Sequence, residues 1–367
     1  MKKFKQPTEK EWKRLYEFAV KVKEIAPWEW MYEDQIFGVE NPDTEEIGFV
    51  SIMGIAGEHF GISVYLGAEG LFGFNELHYE GLEDEDEEDM FDESDDYLAK
   101  AMKLFSIPQL QVSFENHETL EKDDHAIIKK LGLKFRGHHN YPLFRSIVPG
   151  FLPYFITSEE ANFLSYLLEQ ILEVAPRVKE NEELLEDTDI DLIYESYLIR
   201  VPKNENGKII WHEEHRVISP PPDEDISVMI PTETIEEIKH FPQNKNLVIE
   251  MDLFHSPTPI AEKGKRPFIP KMLMLADGQK GIILGFELLK TQETEHENFT
   301  QLVDNIFESL KKLGVRPHEI HVSSDYLFDL FRTFTQQLNI KLKQVDELKA
   351  VEAAKEGMFG FLGDLME

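Results

Sequence analysis

The chain has 367 residues, 41 % hydrophobic and 30 % charged, with no cysteine and a net charge of −33. That apolar fraction excludes wholesale disorder, and the missing cysteine excludes disulfides, thiolate metal sites and cysteine nucleophiles. The charge repels phosphate backbones and anionic membranes, so nucleic acid is not expected as a partner without a metal, and a membrane is not expected at all.

The basic start, Met1-Lys2-Lys3, is not followed by an apolar signal core. No run of about eighteen apolar residues occurs anywhere. The expectation is a cytoplasmic protein, and the length favours two domains. The acidity is uneven: residues 1–244 carry −29 and residues 245–367 only −4. One tract, residues 79–96, contributes −12 with no basic residue. It reads as a mobile, solvated acidic insertion, because like charges at that density repel in any compact form.

Thr8 and Glu11 form a capping-box pattern ahead of Trp12, Leu15, Tyr16, Phe18 and Ala19, which recur at helical spacing until Pro27. Strand-like runs follow at Gln35–Val39, Ile47–Met53 and Phe60–Leu66, with Gly54, Gly57, Gly67 and Gly70 as turn glycines. Leu110–Phe114 reads as a strand, Asp123–Leu131 as a helix closed by Gly132, and Tyr141–Ile147 as extended. This order predicts an α+β domain with an antiparallel sheet over residues 1–150, ending at Pro149-Gly150.

Thr157 and Glu160 form a second capping box, ahead of an apolar helical stripe from Phe163 to Val174 that Pro176 is expected to end. Two strands, Leu192–Val201 and Lys208–Ile218, flank the turn at Asn204–Gly207. Residues 151–244 therefore read as a connecting helix plus β-hairpin, assigned to the second domain. From residue 245 the apolar period switches cleanly between two and 3.6. Leu247–Phe254, Met272–Ala276 and Gly281–Leu288 are strands, the last two joined by the hairpin signal Asp277–Lys280. Helix, strand, helix, strand and helix follow. The predicted order for residues 245–367 is βββαβαβα, an α/β domain with a mixed sheet.

That order resembles the ribonuclease H-like fold. The resemblance implies carboxylates on the first strand, after the fourth strand and on the last helix, holding two divalent ions for phosphoryl transfer. Asp252, Asp325 and Glu352 (with Glu347 or Glu356 as alternatives) occupy such places, with Asp252 and Asp325 as the metal ligands and Mg²⁺ or Mn²⁺ as the ion. Against this, Asp325 follows Ser323-Ser324 and fits a helix cap, Asp346 fits another, and the helix glutamates fit a solvated face. The expected cofactor is therefore none, with Mg²⁺ or Mn²⁺ as the alternative. Other patterns fail on spacing. His212 and His215 are three apart in a strand, and Asp187-Thr-Asp-Ile-Asp191 lacks the glycine and closing glutamate of a calcium loop.

Trp28, Trp30 and Tyr32 are candidate binding aromatics, with burial in the core as the leading reading. Phe49-Val-Ser-Ile-Met-Gly, Gly61-Ile-Ser-Val-Tyr-Leu-Gly, Lys129-Lys-Leu-Gly-Leu-Lys-Phe-Arg-Gly and Tyr141-Pro-Leu-Phe-Arg-Ser resemble an uncharacterised bacterial family that joins two domains of unknown function. Arg136 and Arg145 lie in those segments, as structural contacts first and as phosphate or carboxylate ligands second. The leading expectation is a non-catalytic protein that binds a protein or small ligand. The alternative is a metal-dependent nuclease or phosphoryl-transfer enzyme in the last domain.

Overall fold

In the computed structural model, which describes residues 5–57, 59–83, 103–186, 196–222, 232–256, 258–262, 264–292 and 294–364, the chain divides into two compact units, residues 1–223 and 224–367. Both capping boxes close as predicted. Thr8 Oγ1 accepts the Glu11 N–H at 3.3 Å and Glu11 accepts the Thr8 N–H at 2.6 Å, opening α1 (Glu9–Ile25). Thr157 and Glu160 make the same exchange ahead of a longer helix, Ser158–Glu180. These reciprocal bonds satisfy N–H groups that a helix start leaves without partners.

The first unit is built on a seven-stranded sheet. Its strands are β1 (Phe37–Glu40), β2 (Ile47–Met53), β3 (Gly61–Leu66), β4 (Gln109–Glu115), β5 (Tyr141–Ile147), β6 (Ser196–Glu205) and β7 (Lys208–Val217). They lie in the order β5-β4-β3-β2-β1-β6-β7, antiparallel throughout except for the parallel pair β1–β6. Alternation sends Val50, Ile52, Ile62, Val64, Leu110 and Val112 into one core, against Leu15 and Ala19 of α1 and Leu164, Leu167 and Leu168 of the long helix. Phe49, Tyr65 and Ile199 point the other way. There they meet Leu71 and Phe74 of α2 (Gly67–Glu83).

Four expectations change here. The boundary at Pro149-Gly150 falls inside the first unit, because the helix after it packs on α1 and completes the first core. The hairpin β6–β7 likewise belongs to the first sheet and not to the second domain, through the register Gly38↔Ile199 and Val39↔Arg200. Pro176 does not end its helix. Ala175 and Val178, both buried, hold the last turn in the core through the proline. Gly67 and Gly70 open α2 and are not turn residues; a Cβ at Gly70 would lie 2.8 Å from the Tyr65 carbonyl carbon and 2.9 Å from Pro108 O, so glycine lets the helix close onto the end of β3. The expected acidic insertion is helical up to Glu83, and residues 84–96 lie outside the described residues.

The second unit has five strands: β8 (Gln243–His255), β9 (Lys271–Asp277), β10 (Ile282–Leu289), β11 (Arg316–Val322) and β12 (Lys341–Gln344). Their order is β10-β9-β8-β11-β12. The β8–β9 and β9–β10 pairs are antiparallel, and the β8–β11 and β11–β12 pairs are parallel. Numbering the described helices in chain order, α3 is Lys122–Leu131, α4 Ser158–Glu180, α5 Thr232–Lys239, α6 Glu295–Leu313, α7 Asp325–Leu338 and α8 Lys349–Asp364. Ile249, Met251, Leu273 and Leu275 face a core shared with α5, α6 and α7. Met274 and Ala276 face Val351 and Ala354 of α8 on the other side. The molecule is thus mixed α+β with one mainly antiparallel and one mixed sheet. None of its described helices is long and apolar enough to cross a membrane.

Candidate functional site

Two of the carboxylates predicted for chemistry, Asp252 and Asp325, lie in and just beyond the carboxyl-terminal parts of the neighbouring parallel strands β8 and β11. The β8–β11 register pairs Ile249 with Ile320 and Glu250 with His321. Continued two steps, it brings Asp252 level with Ser323, two residues ahead of Asp325. Strand alternation puts Glu250 and Asp252 on the face that α8 covers.

Glu250, Asp252 and Asp325 are already engaged. Glu250, 7 % exposed, accepts the N–H groups of Ala350 at 2.7 Å and Val351 at 3.2 Å. A carboxylate from β8 therefore caps the amino terminus of α8, where free N–H groups and the helix dipole favour negative charge. The expected cap at Asp346 does not form; α8 begins three residues later on Glu250. Asp252, 9 % exposed, is held by the Lys355 ammonium from α8, and its Oδ1 accepts the Leu253 N–H at 2.8 Å. Lys355 also lies over the Phe254 ring, 4.3 Å from its centroid. Asp325 is the first residue of α7, behind the Ser324 cap, and its Oδ1 accepts the Gln344 side-chain amide at 2.6 Å. Glu352 is exposed on the first turn of α8. Among the described residues, no three His, Asp or Glu side chains gather as a metal site.

A second ionic cluster lies beside this one on β11 and β12. Glu319 pairs with Lys343 at 2.6 Å, His321 at 2.9 Å and Lys341 at 3.3 Å. The hydrogen bond from Lys343, then that from His321, holds the Glu319 carboxyl down at about 2. The two cations per carboxylate make the cluster mildly basic in an acidic chain. Sequence reasoning missed Lys355 and the Glu319 cluster. Both depend on partners brought together across strands or from a helix about a hundred residues away, for which no local spacing exists.

In the first unit Arg145 is 9 % exposed and fully occupied. Its guanidinium donates to both oxygens of Asp124, at 3.0 and 2.7 Å, to Glu121 at 3.1 Å and to the Phe144 carbonyl at 2.9 Å, and it stacks on Phe155. Burial works against the charged form, but the hydrogen bonds and charges of Asp124 and Glu121 outweigh it and raise the pKa. This is a structural contact and leaves no fork for a ligand. Arg136 is exposed on the loop after α3, and its carbonyl accepts the Asn140 amide at 2.6 Å. Trp28 is buried against Phe60 and Phe114, with ring centroids 5.3 and 5.2 Å away. Trp30 is half-buried; its indole N–H donates to Ala175 O at 3.0 Å and Lys179 lies over its ring. Tyr32 alone of the three is exposed, beside a cleft of about 350 Å³ lined in part by Asp34, Gln35 and Tyr197.

Residues 12–196 match a Domain of unknown function (DUF7309), and residues 234–359 match a second Domain of unknown function (DUF6930). The first match runs through α4 and the second begins in α5, in agreement with the division into two units. No curated protein matches the sequence.

Proposed function

The chain belongs to the family of the Domain of unknown function (DUF7309), and from that premise we propose that it acts by binding a protein or small ligand without catalysis. A cytoplasmic setting fits a chain of this length without cysteine. The observation that carries the reading is the occupancy of Glu250 and Asp252. One oxygen of Glu250 is spent on the backbone of α8, and Asp252 is neutralised by Lys355. A two-metal centre needs carboxylates free to bridge cations. A lysine ammonium placed on the central carboxylate competes for that position, so the residues present do not fit a pair of divalent ions.

A ribonuclease H-like second unit is a further part of this reading. It is supported by the observed element order after α5, three strands and then alternating helices and strands, and by the central place of β8. The nuclease reading rests on that architecture alone, and a fold does not imply its activity. Incubating the protein with labelled DNA and RNA in Mn²⁺ tests the proposal, and both substrates are expected to stay intact. Cleavage that Asp252→Ala abolishes overturns it in favour of the carboxylate site. Cleavage that survives Asp252→Ala overturns it too, and puts the chemistry elsewhere.

A further inference from the structure

A sheet edge offers unpaired N–H and C=O groups to any passing strand, and proteins blunt such edges with charge, proline, shortness or cover. Three of the four edges here are blunted. β5 contains Pro142, and its Ser146 is bridged to Tyr154 by backbone bonds of 2.8 and 3.0 Å. β7 carries Lys208, Glu213, Glu214 and Arg216. β12 is four residues long and includes Lys341 and Lys343.

Among the described residues β10 is the least protected edge: it has no proline and no bridging segment, and its protections are one register shift, between Ile283 and Gly285, and one charge. Eight residues long, it is the terminal strand of its sheet, and its single charge, Glu287, is held by Lys312 at 2.6 Å. Ile282, Ile283, Phe286 and Leu288 are 55, 50, 42 and 44 % exposed. Ile283, Phe286 and Leu288 pair across the ladder with Ala276, Met274 and Met272, so the three share one face. The exposed apolar surface ends at a lysine on each side. Lys280 in the preceding turn is 70 % exposed, and Lys290 just after the strand is 62 % exposed.

We propose that the free edge of β10 docks an extended segment of a partner protein: one apolar strand bracketed by carboxylates, added to the sheet through the backbone. The proposal rests on the binding reading above and names its surface and partner. A second copy of this chain fits poorly. Antiparallel self-pairing about Gly285 sets Lys280 opposite Lys290 at both ends, and like charges directly opposite are destabilising. For any added strand the side chains supply only part of the contact: four half-exposed groups offer at most a few hundred Å², short of the roughly 800 Å² per partner of a stable globular interface. A single strand needs less side-chain area, because main-chain hydrogen bonds along the edge supply much of the attachment. Its alternate residues would cover Ile283, Phe286 and Leu288. Carboxylates at its ends would meet Lys280 and Lys290. The present partners of these lysines, Asp277 and Glu262, leave each ammonium mostly exposed and able to donate again.

The test is a fluorescence-anisotropy titration of the full chain with a labelled peptide of alternating valine and threonine that carries two glutamates at each end. Saturable binding is expected, and the same peptide with lysines at its ends should bind about tenfold more weakly. Ile283→Ser and Phe286→Ser should each weaken binding several-fold with the circular dichroism spectrum unchanged, since both side chains are about half exposed. Lys280→Ala with Lys290→Ala should remove the preference for glutamate ends. No saturable binding, equal affinity for the two peptides, or indifference to the two serine variants overturns the proposal. So does a dimer by light scattering that Phe286→Ser dissociates, which would make the second copy the occupant. DNA or RNA cleavage would overturn the non-catalytic reading without altering any of these results.

Discussion

The two sheets use buried charge in different ways. In the seven-stranded sheet the buried ion pair, Arg145 with Asp124, ties the edge strand β5 to α3 and lies against the Phe155 ring. In the five-stranded sheet the buried carboxylates sit on the central strand β8 and fasten one helix, Glu250 through the backbone of α8 and Asp252 through Lys355. The first arrangement leaves its edges protected. In the second, β10 is apolar and has no neighbouring strand on one side among the described residues. Acidic residues at the ends of parallel strands are not by themselves a reactive site. What decides is whether their oxygens are free, and here helix attachment uses them.

The largest loss is expected at Asp124. Asp124→Ala strands a buried guanidinium with only the more exposed Glu121 beside it, and should cost about 3–5 kcal/mol in urea unfolding. A loss below 1 kcal/mol would mean that Arg145 reaches water and that the pair is not a structural centre. In the second unit Glu250→Ala removes one acceptor for two N–H groups and should cost about 1–2 kcal/mol, with Glu250→Gln recovering part of it. Equal stability of all three proteins would contradict the capping role.

Much of the fold was legible in the residues, and the exceptions share a cause. Thr8-x-x-Glu11 and Thr157-x-x-Glu160 marked their helices because a capping box is a local device. The alternation in Ile47–Met53 and Tyr141–Ile147 located those strands, whose limits are the same in the structure. The domain boundary was misplaced because Pro149-Gly150 is a local turn signal, whereas domain membership is decided by what α4 and β6 touch. Pro176 and the glycines of α2 gave breaker signals that burial of Ala175, Val178, Leu71 and Phe74 overrode. At the candidate site, Asp252 and Asp325 are named only through the ribonuclease H-like resemblance of the element order, and their engagement is not legible there. Their partners Lys355 and Gln344 lie 103 and 19 residues away, beyond the reach of any spacing rule.

Two smaller effects sharpen the contrast. Glu319, held at about 2 by Lys343 and His321, titrates below its ordinary value of 4.5. A depressed carboxyl contributes stability that is present above the unfolded value and is lost as pH falls from there through the folded one. Glu319→Gln should therefore destabilise the protein at pH 7, and the difference from the parent should shrink between pH 4.5 and 2. A difference that stays constant across that range contradicts the assignment. The smallest expected effect is that of Trp30→Phe, which keeps an aromatic ring but loses the bond to Ala175 O and should cost about 1 kcal/mol in urea unfolding.

The central claim, that the β8 carboxylates hold a helix and not a metal, is tested most directly by a crystal structure after soaking in Mn²⁺, read from the anomalous signal of manganese. The account predicts Lys355 still on Asp252, Glu250 still on the α8 backbone, and no manganese peak at either carboxylate. A manganese peak between Asp252 and Asp325, with Lys355 displaced, would contradict it.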